Sequence, residues 1–194
     1  MRILVTGGTG FIGSHLTYAL LEDGHEIDVT GSSGEDYFID VVKDYEEVSS
    51  QQYDVVFHQA ARNDTQCQDR EAMMEANVYA PIKLFEQLKD NGCKKFIFAS
   101  STAVYGGSPC PYIEDVTPLD PLTFYAESKI KFEEWAMEFA YQHDLDMIGL
   151  RYCNVYGPGE YHKEKRASMI FQMWQLMKQN IAPKLFPYGT QRRD

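Results

Sequence analysis

The chain has 194 residues, of which 44% are hydrophobic and 24% are charged. This length and composition predict one soluble globular domain with a buried core. The formal net charge of -11 argues against nucleic acid and anionic membrane surfaces as partners, since both repel an acidic protein. The apolar runs all fall short of the roughly 18 residues that a membrane-spanning helix needs.

The cysteines indicate a reducing compartment. Cys67, Cys93, Cys110 and Cys153 form no Cys-x-x-Cys pair, and no Cys/His cluster has zinc spacing. We therefore expect four reduced thiols in a cytoplasmic protein without a metal site. The N-terminus already has the pattern of a core strand, which leaves no place for a signal peptide.

The first thirteen residues predict a nucleotide-binding turn. Residues 2–6 have the pattern of a buried strand and residues 11–22 that of a helix, and Gly8-x-Gly10-x-x-Gly13 between them satisfies the dinucleotide fingerprint. Glycines let backbone N–H groups approach a pyrophosphate, and the positive end of the helix dipole favours an anion there. The residues predicted to contact the cofactor in this turn are Gly7, Gly10, Phe11, Ile12 and Gly13.

The second predicted strand, residues 25–30, leaves the choice between NAD and NADP open. An acid at the end of this strand normally binds the adenosine ribose. Here the strand runs into Thr30-Gly-Ser-Ser-Gly34, Asp28 comes too early, and no arginine follows. Small hydroxyl residues are compatible with either cofactor.

Two short strands follow, over residues 37–42 and 53–57, with a polar helix over residues 43–52 between them. Asp40 and Val41 are predicted near the adenine, with Asp40 either facing it or serving as a surface acid. His58-Gln-Ala-Ala61 ends the later strand, where Ala60 permits close passage of a cofactor. His58 has no nucleophile beside it and is expected to be a hydrogen-bonded structural residue.

The remaining pattern predicts a parallel α/β sheet. In chain order it contains a helix over 71–91 with a kink or a break at Pro81, a strand over 94–100, a loop over 106–121, a helix over 122–143, a strand over 146–151 and a helix over 167–180. Strands that alternate with helices favour a doubly wound sheet with helices on both faces. Ser100-Ser-Thr102 follows a strand at the carboxyl edge, where such sheets place their sites.

Tyr125-Ala-Glu-Ser-Lys129 carries the strongest chemical signal. Two side chains four residues apart project from the same helix face. A nearby ammonium favours the phenolate form of a tyrosine, which predicts Tyr125 as a general base with Lys129 beside it. Ser101 could supply a hydroxyl to the same substrate oxygen. Tyr-x-x-x-Lys alone is weak, but the upstream glycine turn and the Ser-Ser-Thr strand end strengthen it.

Together these motifs resemble the extended short-chain dehydrogenase/reductase family of nucleotide-sugar epimerases and dehydratases. The resemblance rests on Thr6-Gly-Gly-Thr-Gly-Phe-Ile-Gly13, His58-Gln-Ala-Ala61, Ser100-Ser-Thr-Ala-Val-Tyr-Gly106, Tyr125-Ala-Glu-Ser-Lys129 and Arg151-Tyr-Cys-Asn-Val-Tyr-Gly-Pro158. It implies a Rossmann-type dinucleotide-binding domain over residues 1–160. Residues 161–194 would begin a substrate-binding lobe that is largely absent, so the fragment is expected to retain dinucleotide but to epimerise poorly.

The resemblance also implies residue roles. Ser101 would be the catalytic serine, Tyr125 the base, and Lys129 its partner on the nicotinamide ribose. Asn154 and Arg193 would bind the substrate diphosphate. A sugar would be oxidised transiently at one carbon, and hydride would return to its other face from a retained NAD or NADP.

One stretch is similar to the ADP-glycero-manno-heptose 6-epimerase branch of this family. It comprises Asn154-Val-Tyr-Gly-Pro-Gly-Glu-Tyr-His-Lys163, then Ala167-Ser-Met169 and Pro183-Lys-Leu-Phe186. By this resemblance Lys163 is a second catalytic acid/base and Phe186 a substrate-binding residue. Lys163 also fits an exposed basic cluster with Lys165 and Arg166, and both interpretations stay open.

Alternative functions remain. One is a 4-epimerase or dehydratase of a UDP or dTDP sugar, although Thr102-Ala103 replaces the Asp-Glu usual in dehydratases. Another is a non-catalytic NAD(P)-binding regulatory or scaffold protein, which would tend to lose the Tyr125/Lys129 pair. The resemblance further implies a homodimer formed through the helices predicted over residues 71–91 and 122–143.

Overall fold

The structure is a computed structural model that describes residues 1–31, 45–161, 163 and 167–184. Four predicted site residues, Asp40, Val41, Phe186 and Arg193, lie outside these described residues. The strand predicted over residues 37–42 also lies outside them.

Five described strands form one sheet in the order β2-β1-β3-β4-β5. The strands are β1 (Arg2–Thr6), β2 (Glu26–Thr30), β3 (Val55–His58), β4 (Lys95–Ser101) and β5 (Asp146–Tyr152). The pairs β1–β2, β1–β3 and β3–β4 are parallel. Parallel neighbours need crossover connections, and the intervening helices supply them. The predicted Rossmann-like α/β fold is confirmed.

Helices occupy the connections between the strands. They are α1 (Phe11–Glu22), α2 (Tyr45–Ser49), α3 (Arg70–Met74), a π-helix (Glu75–Tyr79), α4 (Ala80–Asp90), a 3-10 helix (Thr102–Tyr105), α5 (Phe124–His143) and α6 (Met169–Lys178). The long helix α5 begins at a Thr123 cap, whose hydroxyl accepts the Ala126 N–H at 3.1 Å. This cap sets the start of the helix that carries Tyr125 and Lys129.

The helix predicted over residues 71–91 is divided into α3, the π-helix and α4, in agreement with the predicted break near Pro81, and the irregular part lies before the proline. The Ala80 N–H donates to the Glu75 carbonyl, which is the i to i+5 bond of a π-helix. Pro81 has no N–H and cannot donate to the carbonyl four residues before it. Pro81 lies in the first turn of α4, where backbone N–H groups have no acceptor within the helix. The N–H that proline lacks is therefore not missed at this position.

The sheet buries side chains on both faces, as a doubly wound fold requires. On one face α4 and α5 cover an aromatic cluster, in which the Phe85 and Phe96 rings stack at 4.7 Å. On the other face Ile3, Val5 and Val55 pack against Leu16 and Leu20 of α1. The alternation of neighbouring β1 residues between the two clusters follows from the two-residue period of a strand.

The chain separates into two compact units, Met1–Arg151 and Tyr152–Asp194. The first holds the sheet through Arg151 and helices α1 to α5. In the described part of the second, Ser168 caps α6 by accepting the Phe171 N–H at 3.1 Å. None of the helices described is both long and apolar enough to cross a membrane.

Candidate active site

The glycine turn between β1 and α1 is closed by backbone contacts that exclude side chains. Gly7 and Gly8 donate their N–H groups to the Thr30 carbonyl at 2.9 and 3.1 Å. Gly7 has a φ of 76°, and a Cβ on it would lie 2.6 Å from the Ala60 nitrogen. A Cβ on Gly13 would lie 2.0 Å from the Gly7 carbonyl oxygen. Both positions therefore require glycine for this turn to form.

The start of α1 fits an anionic group. Gly10 is its N-cap, and within this fully described helix no acidic residue occupies the first turn and no side chain caps the start. Such a helix end favours a phosphate through its dipole and its N–H groups. Phe11 is buried beneath the turn and Ile12 is half-buried. Ala60 is 3% exposed and lines the approach from β3. The residues predicted to contact the cofactor in and beside the turn thus form one cradle. They are Gly7, Gly10, Phe11, Ile12, Gly13 and Ala60.

Asp28 is not available as the ribose-binding acid. Its Oδ2 accepts hydrogen bonds from Arg2 Nη2 at 2.8 Å and from the Tyr53 hydroxyl at 2.9 Å. Burial, together with the neighbouring Asp28 carboxylate, raises the pKa of Tyr53 well above its usual value. Asp28, in the middle of β2, therefore already binds Arg2 and Tyr53, which agrees with the prediction that it comes too early in the strand to bind the ribose.

His58 is a structural residue, as its sequence setting predicts. Its Nδ1 lies 2.7 Å from the Thr6 hydroxyl, and only 3% of the residue is exposed. Burial, assisted by the nearby Lys129 charge, lowers the pKa of His58 to about 3. The imidazole therefore stays neutral at physiological pH and packs edge-on against Phe85 at 5.4 Å.

Ser101, Tyr125 and Lys129 come together at the carboxyl end of β4. Tyr125 lies close to Ser101, whose hydroxyl lowers the pKa of the phenol. Lys129 Nζ lies 5.7 Å from the centre of the Tyr125 ring and donates to the Ala99 carbonyl at 2.8 Å. Ser101 Oγ also accepts the Ala103 N–H at 3.2 Å, which orients the serine at the start of the 3-10 helix.

The electrostatics of Tyr125 differ from the sequence expectation that Lys129 favours its phenolate. Burial raises the pKa of Tyr125, and the Ser101 hydroxyl is the contact that lowers it. Lys129 is itself desolvated, which lowers its pKa to about 8, while Glu133 opposes that change. Tyr125 thus holds its proton in this pocket, and Ser101 is the residue that favours its release.

Asn77 is a buried residue of this region that sequence reasoning missed. Its Oδ1 accepts the Arg62 N–H at 2.7 Å, and its Nδ2 donates to the Arg62 carbonyl and to Ser128 Oγ, both at 3.0 Å. Asn77 lies on the π-helix, a feature often found at functional sites. It joins the loop after β3 to the helix of Tyr125. The sequence signal that could have indicated a functional role for Asn77 was its position just before the helical turn that Pro81 disrupts.

The second unit contains Asn154 and Lys163. Asn154 is exposed in the loop after β5. Lys163 lies in a segment organised by Glu160, which is 1% exposed and accepts the N–H groups of Gly157 at 2.8 Å and Ser168 at 2.6 Å. Burial lowers the pKa of Lys163, and Glu160 opposes this. Lys163 is thus partly desolvated, unlike a fully solvated surface lysine.

A parallel α/β sheet with a glycine cradle and a Ser/Tyr/Lys group at its carboxyl edge defines the class of nucleotide-cofactor enzymes with a Rossmann-like fold. The model of the NAD dependent epimerase/dehydratase family matches residues 3–194. The chain belongs to this family.

Solved structures agree with this assignment. ADP-L-glycero-D-manno-heptose-6-epimerase from Helicobacter pylori is 32% identical, with a TM-score of 0.87 over 100% of this chain and 68% of that chain. UDP-glucose 4-epimerase from Thermotoga maritima, solved with UDP-glucose, is 28% identical, with a TM-score of 0.86 over 100% of this chain and 68% of that chain.

A third relative is UDP-N-acetylglucosamine 4-epimerase from Methanobrevibacter ruminantium M1, solved with UDP-N-acetylmuramic acid. It is 31% identical, with a TM-score of 0.85 over 100% of this chain and 67% of that chain. The family and these neighbours establish an NAD-dependent, epimerase-type enzyme. The cradle fits that cofactor, because the start of α1 carries no acidic side chain and no side-chain cap that would compete with a phosphate.

Proposed function

We propose that this protein epimerises a nucleotide-diphosphate sugar through transient oxidation and hydride return. The observation that carries the proposal is the convergence of Tyr125 and the buried Lys129 on the end of β4 that carries Ser101, with Lys129 Nζ 5.7 Å from the centre of the Tyr125 ring and hydrogen-bonded to the Ala99 carbonyl. A hydroxyl held next to a base, with a cation near the base, suits proton removal from a sugar alcohol. The adjacent glycine cradle suits a dinucleotide pyrophosphate.

Each of Ser101, Tyr125 and Lys129 has a separate role in the proposed reaction. Ser101 orients the sugar hydroxyl. Tyr125 first releases its own proton to solvent, and the phenolate then takes the proton of the sugar hydroxyl as the carbonyl forms. Lys129 would bind the nicotinamide ribose, and its ammonium stabilises the phenolate that must exist before this transfer. NAD, when bound, supplies reversible hydride transfer at the sugar carbon. Tyr125 returns the proton to the oxygen when hydride is delivered to the opposite face, so the sugar is neither oxidised nor reduced overall.

We propose an ADP-glycero-manno-heptose as the first substrate to test. Support comes from the Asn154 to Lys163 stretch and from the similarity to the Helicobacter pylori enzyme. Asn154, Phe186 and Arg193 would bind the substrate, with Lys163 as second acid/base. In this proposal residues 1–160 form the dinucleotide-binding domain and residues 161–194 belong to the substrate-binding lobe.

A UDP-sugar 4-epimerase is the second candidate. The enzymes from Thermotoga maritima and Methanobrevibacter ruminantium are similar to this chain in fold to nearly the same degree. A single screen separates the candidates. Purified protein is supplied with NAD, and ADP-heptose, UDP-glucose, UDP-N-acetylglucosamine and dTDP-glucose are each followed by NMR.

We expect the heptose to be converted slowly to its C6 epimer and the other sugars to be recovered unchanged. Conversion of a UDP sugar at C4 would select the second candidate. Loss of water from dTDP-glucose would indicate a dehydratase. Mass spectrometry of any nucleotide that the purified protein releases is expected to identify NAD rather than NADP.

We also propose a cytoplasmic homodimer. Met137 and Tyr141 of α5 are 74% and 91% exposed, an apolar surface that suits a second copy pairing through α3 to α5. Sedimentation velocity should give twice the chain mass, and a monomer at micromolar concentration would contradict it. The four cysteines are free thiols, which fits a reducing compartment. Recovery of the native protein from a periplasmic or secreted fraction would contradict that location.

A further inference from the structure

Glu133 extends the Tyr125–Lys129 face of α5 by one more helical turn. The three side chains are four residues apart and contact the last three residues of β4. Tyr125 lies close enough to Ser101 for the serine hydroxyl to lower its pKa, and Lys129 donates to the Ala99 carbonyl at 2.8 Å. Glu133 Oε1 accepts a hydrogen bond from the Ser100 hydroxyl. Side chains at this spacing share one helix face, so the helix binds the strand end at three consecutive turns.

The carboxylate of Glu133 also binds β5. Arg151 donates Nε to Glu133 Oε1 at 3.1 Å and Nη2 to Oε2 at 2.7 Å. The third guanidinium nitrogen, Nη1, donates to the Tyr105 hydroxyl at 2.7 Å. A bidentate arginine–carboxylate pair is directional as well as strong. Glu133 on α5 therefore holds the end of β4 through Ser100, just before Ser101. Through Arg151 of β5 it is also connected to Tyr105 in the 3-10 helix, which follows Ser101.

Among the described groups packed around Lys129, Glu133 is the anion whose charge acts on it, from one turn along the same face of α5. Lys129 is 5% exposed, and Glu133 opposes the desolvation that lowers its pKa to about 8. From β3, His58 faces the ammonium but is neutral, because burial lowers its pKa to about 3. From α5, Tyr125 is also neutral near pH 8, since burial raises its pKa. From β5, Arg151 is a cation that Glu133 binds.

We infer that Glu133 is a positioning residue of the reaction, which aligns Ser101 with Tyr125 and balances the buried charge of Lys129. The inference rests on the roles proposed above for these three residues. Glu133 acts through Ser100 and Lys129, and contact with the substrate is not part of its role. The side chain is 12% exposed, so solvent screens these interactions less than at the protein surface.

The test compares Glu133→Gln with Glu134→Gln, the same change one residue along α5. Glu134 has a side chain that is 63% exposed and pairs with Lys131 at 3.5 Å. NAD affinity is measured by calorimetry from pH 6 to 10, and kcat and KM are measured at pH 7. In the wild type and in Glu134→Gln we expect NAD affinity to fall as pH rises through about 8, where Lys129 loses its charge.

In Glu133→Gln the midpoint of that fall should move to lower pH by about one unit, because an opposing charge near Lys129 is lost. The kcat should fall by about tenfold with a smaller change in KM, because Ser101 is misaligned. Glu133→Asp keeps the charge on a shorter side chain. It should keep the wild-type midpoint while kcat still falls.

An unchanged midpoint and kcat in Glu133→Gln, with only a lower melting temperature, would overturn the inference and leave a structural ion pair. If Glu133→Gln does not fold, Glu133→Asp is the deciding variant. A lowered midpoint of NAD binding, or a wild-type kcat, in Glu133→Asp would overturn the inference. Absence of turnover in the wild-type protein would contradict the proposed function instead. In that case the pH dependence of NAD binding would still test whether Glu133 balances the charge of Lys129.

Discussion

Replacement of Tyr125 by phenylalanine is expected to lower kcat by roughly 100- to 10,000-fold, the range that a positioned general base contributes. The phenyl ring would still fill the space in which Lys129 Nζ approaches the tyrosine ring at 5.7 Å. Because the ring and Lys129 keep their places, NAD affinity should stay within about twofold of the wild type. That limit is well below the roughly 1.4 kcal/mol that a tenfold change represents. The measurement pairs steady-state kinetics with NAD titration on the same preparation.

Tyr18→Phe is the matched control for this change. Tyr18 lies on α1, outside the helices proposed for the dimer, is 69% exposed and should tolerate loss of its hydroxyl without any effect on kcat. Retention of more than about a tenth of wild-type turnover by Tyr125→Phe would remove the tyrosine from the role of base, since the lost hydroxyl should cost at least about 100-fold.

A methyl group on Gly13 is expected to abolish tight NAD binding. The Cβ of Gly13→Ala would lie 2.0 Å from the Gly7 carbonyl oxygen, far inside van der Waals contact. The neighbour is backbone and cannot rotate away, so the turn must open. Overpacking of this kind costs up to about 3 kcal/mol, which corresponds to roughly a 100-fold loss of affinity. Calorimetric titration with NAD measures it directly.

Gly24→Ala controls for general damage to α1. Gly24 follows the C-terminal end of the same helix, and a Cβ there would meet nothing within 4 Å. Its φ of 79° makes alanine costly for stability, but the nucleotide turn is left intact. NAD affinity close to wild type in Gly13→Ala, or an equal loss in both variants, would show that the Gly13 cradle does not hold the cofactor.

The fold was predictable because its signals are local and periodic. Strands Arg2–Thr6 and Glu26–Thr30 were expected within a residue, and the glycine turn between β1 and α1 has the predicted form. The π-helix over Glu75–Tyr79 was not expected, since a single five-residue segment is too short to stand out in a helical hydrophobic pattern. Pro81 gave the hint, because it indicated a kink or a break, and the division of the helix lies just before it.

The site was predictable where side chains repeat at helical spacing, as Tyr125 and Lys129 do. The contacts of Asn77, Glu133 and Arg151 were missed because they join residues distant in the sequence, such as Glu133 and Arg151 across 18 positions. A glutamate four residues after Lys129 has the pattern of an ordinary solvated helix residue. Only the packing of α5 against β4 and β5 shows that its side chain is largely buried.

The pKa values could not be derived from residue types. Spacing indicated that Lys129 would favour the Tyr125 phenolate, whereas burial raises the pKa of Tyr125. Desolvation depends on how neighbouring elements cover a side chain, which a linear pattern does not contain. The same burial explains why His58 is neutral and why the charge on Lys129 depends on Glu133.

Isotope retention tests the central claim most directly. The sugar that is converted in the substrate screen is prepared with deuterium at the carbon that inverts, and the product is analysed by NMR and mass spectrometry in ordinary water. Transient oxidation with hydride return predicts that the deuterium remains on the inverted carbon of the product. Replacement of deuterium by solvent hydrogen would show that the carbon is deprotonated instead, and would contradict the proposed role of NAD and Tyr125.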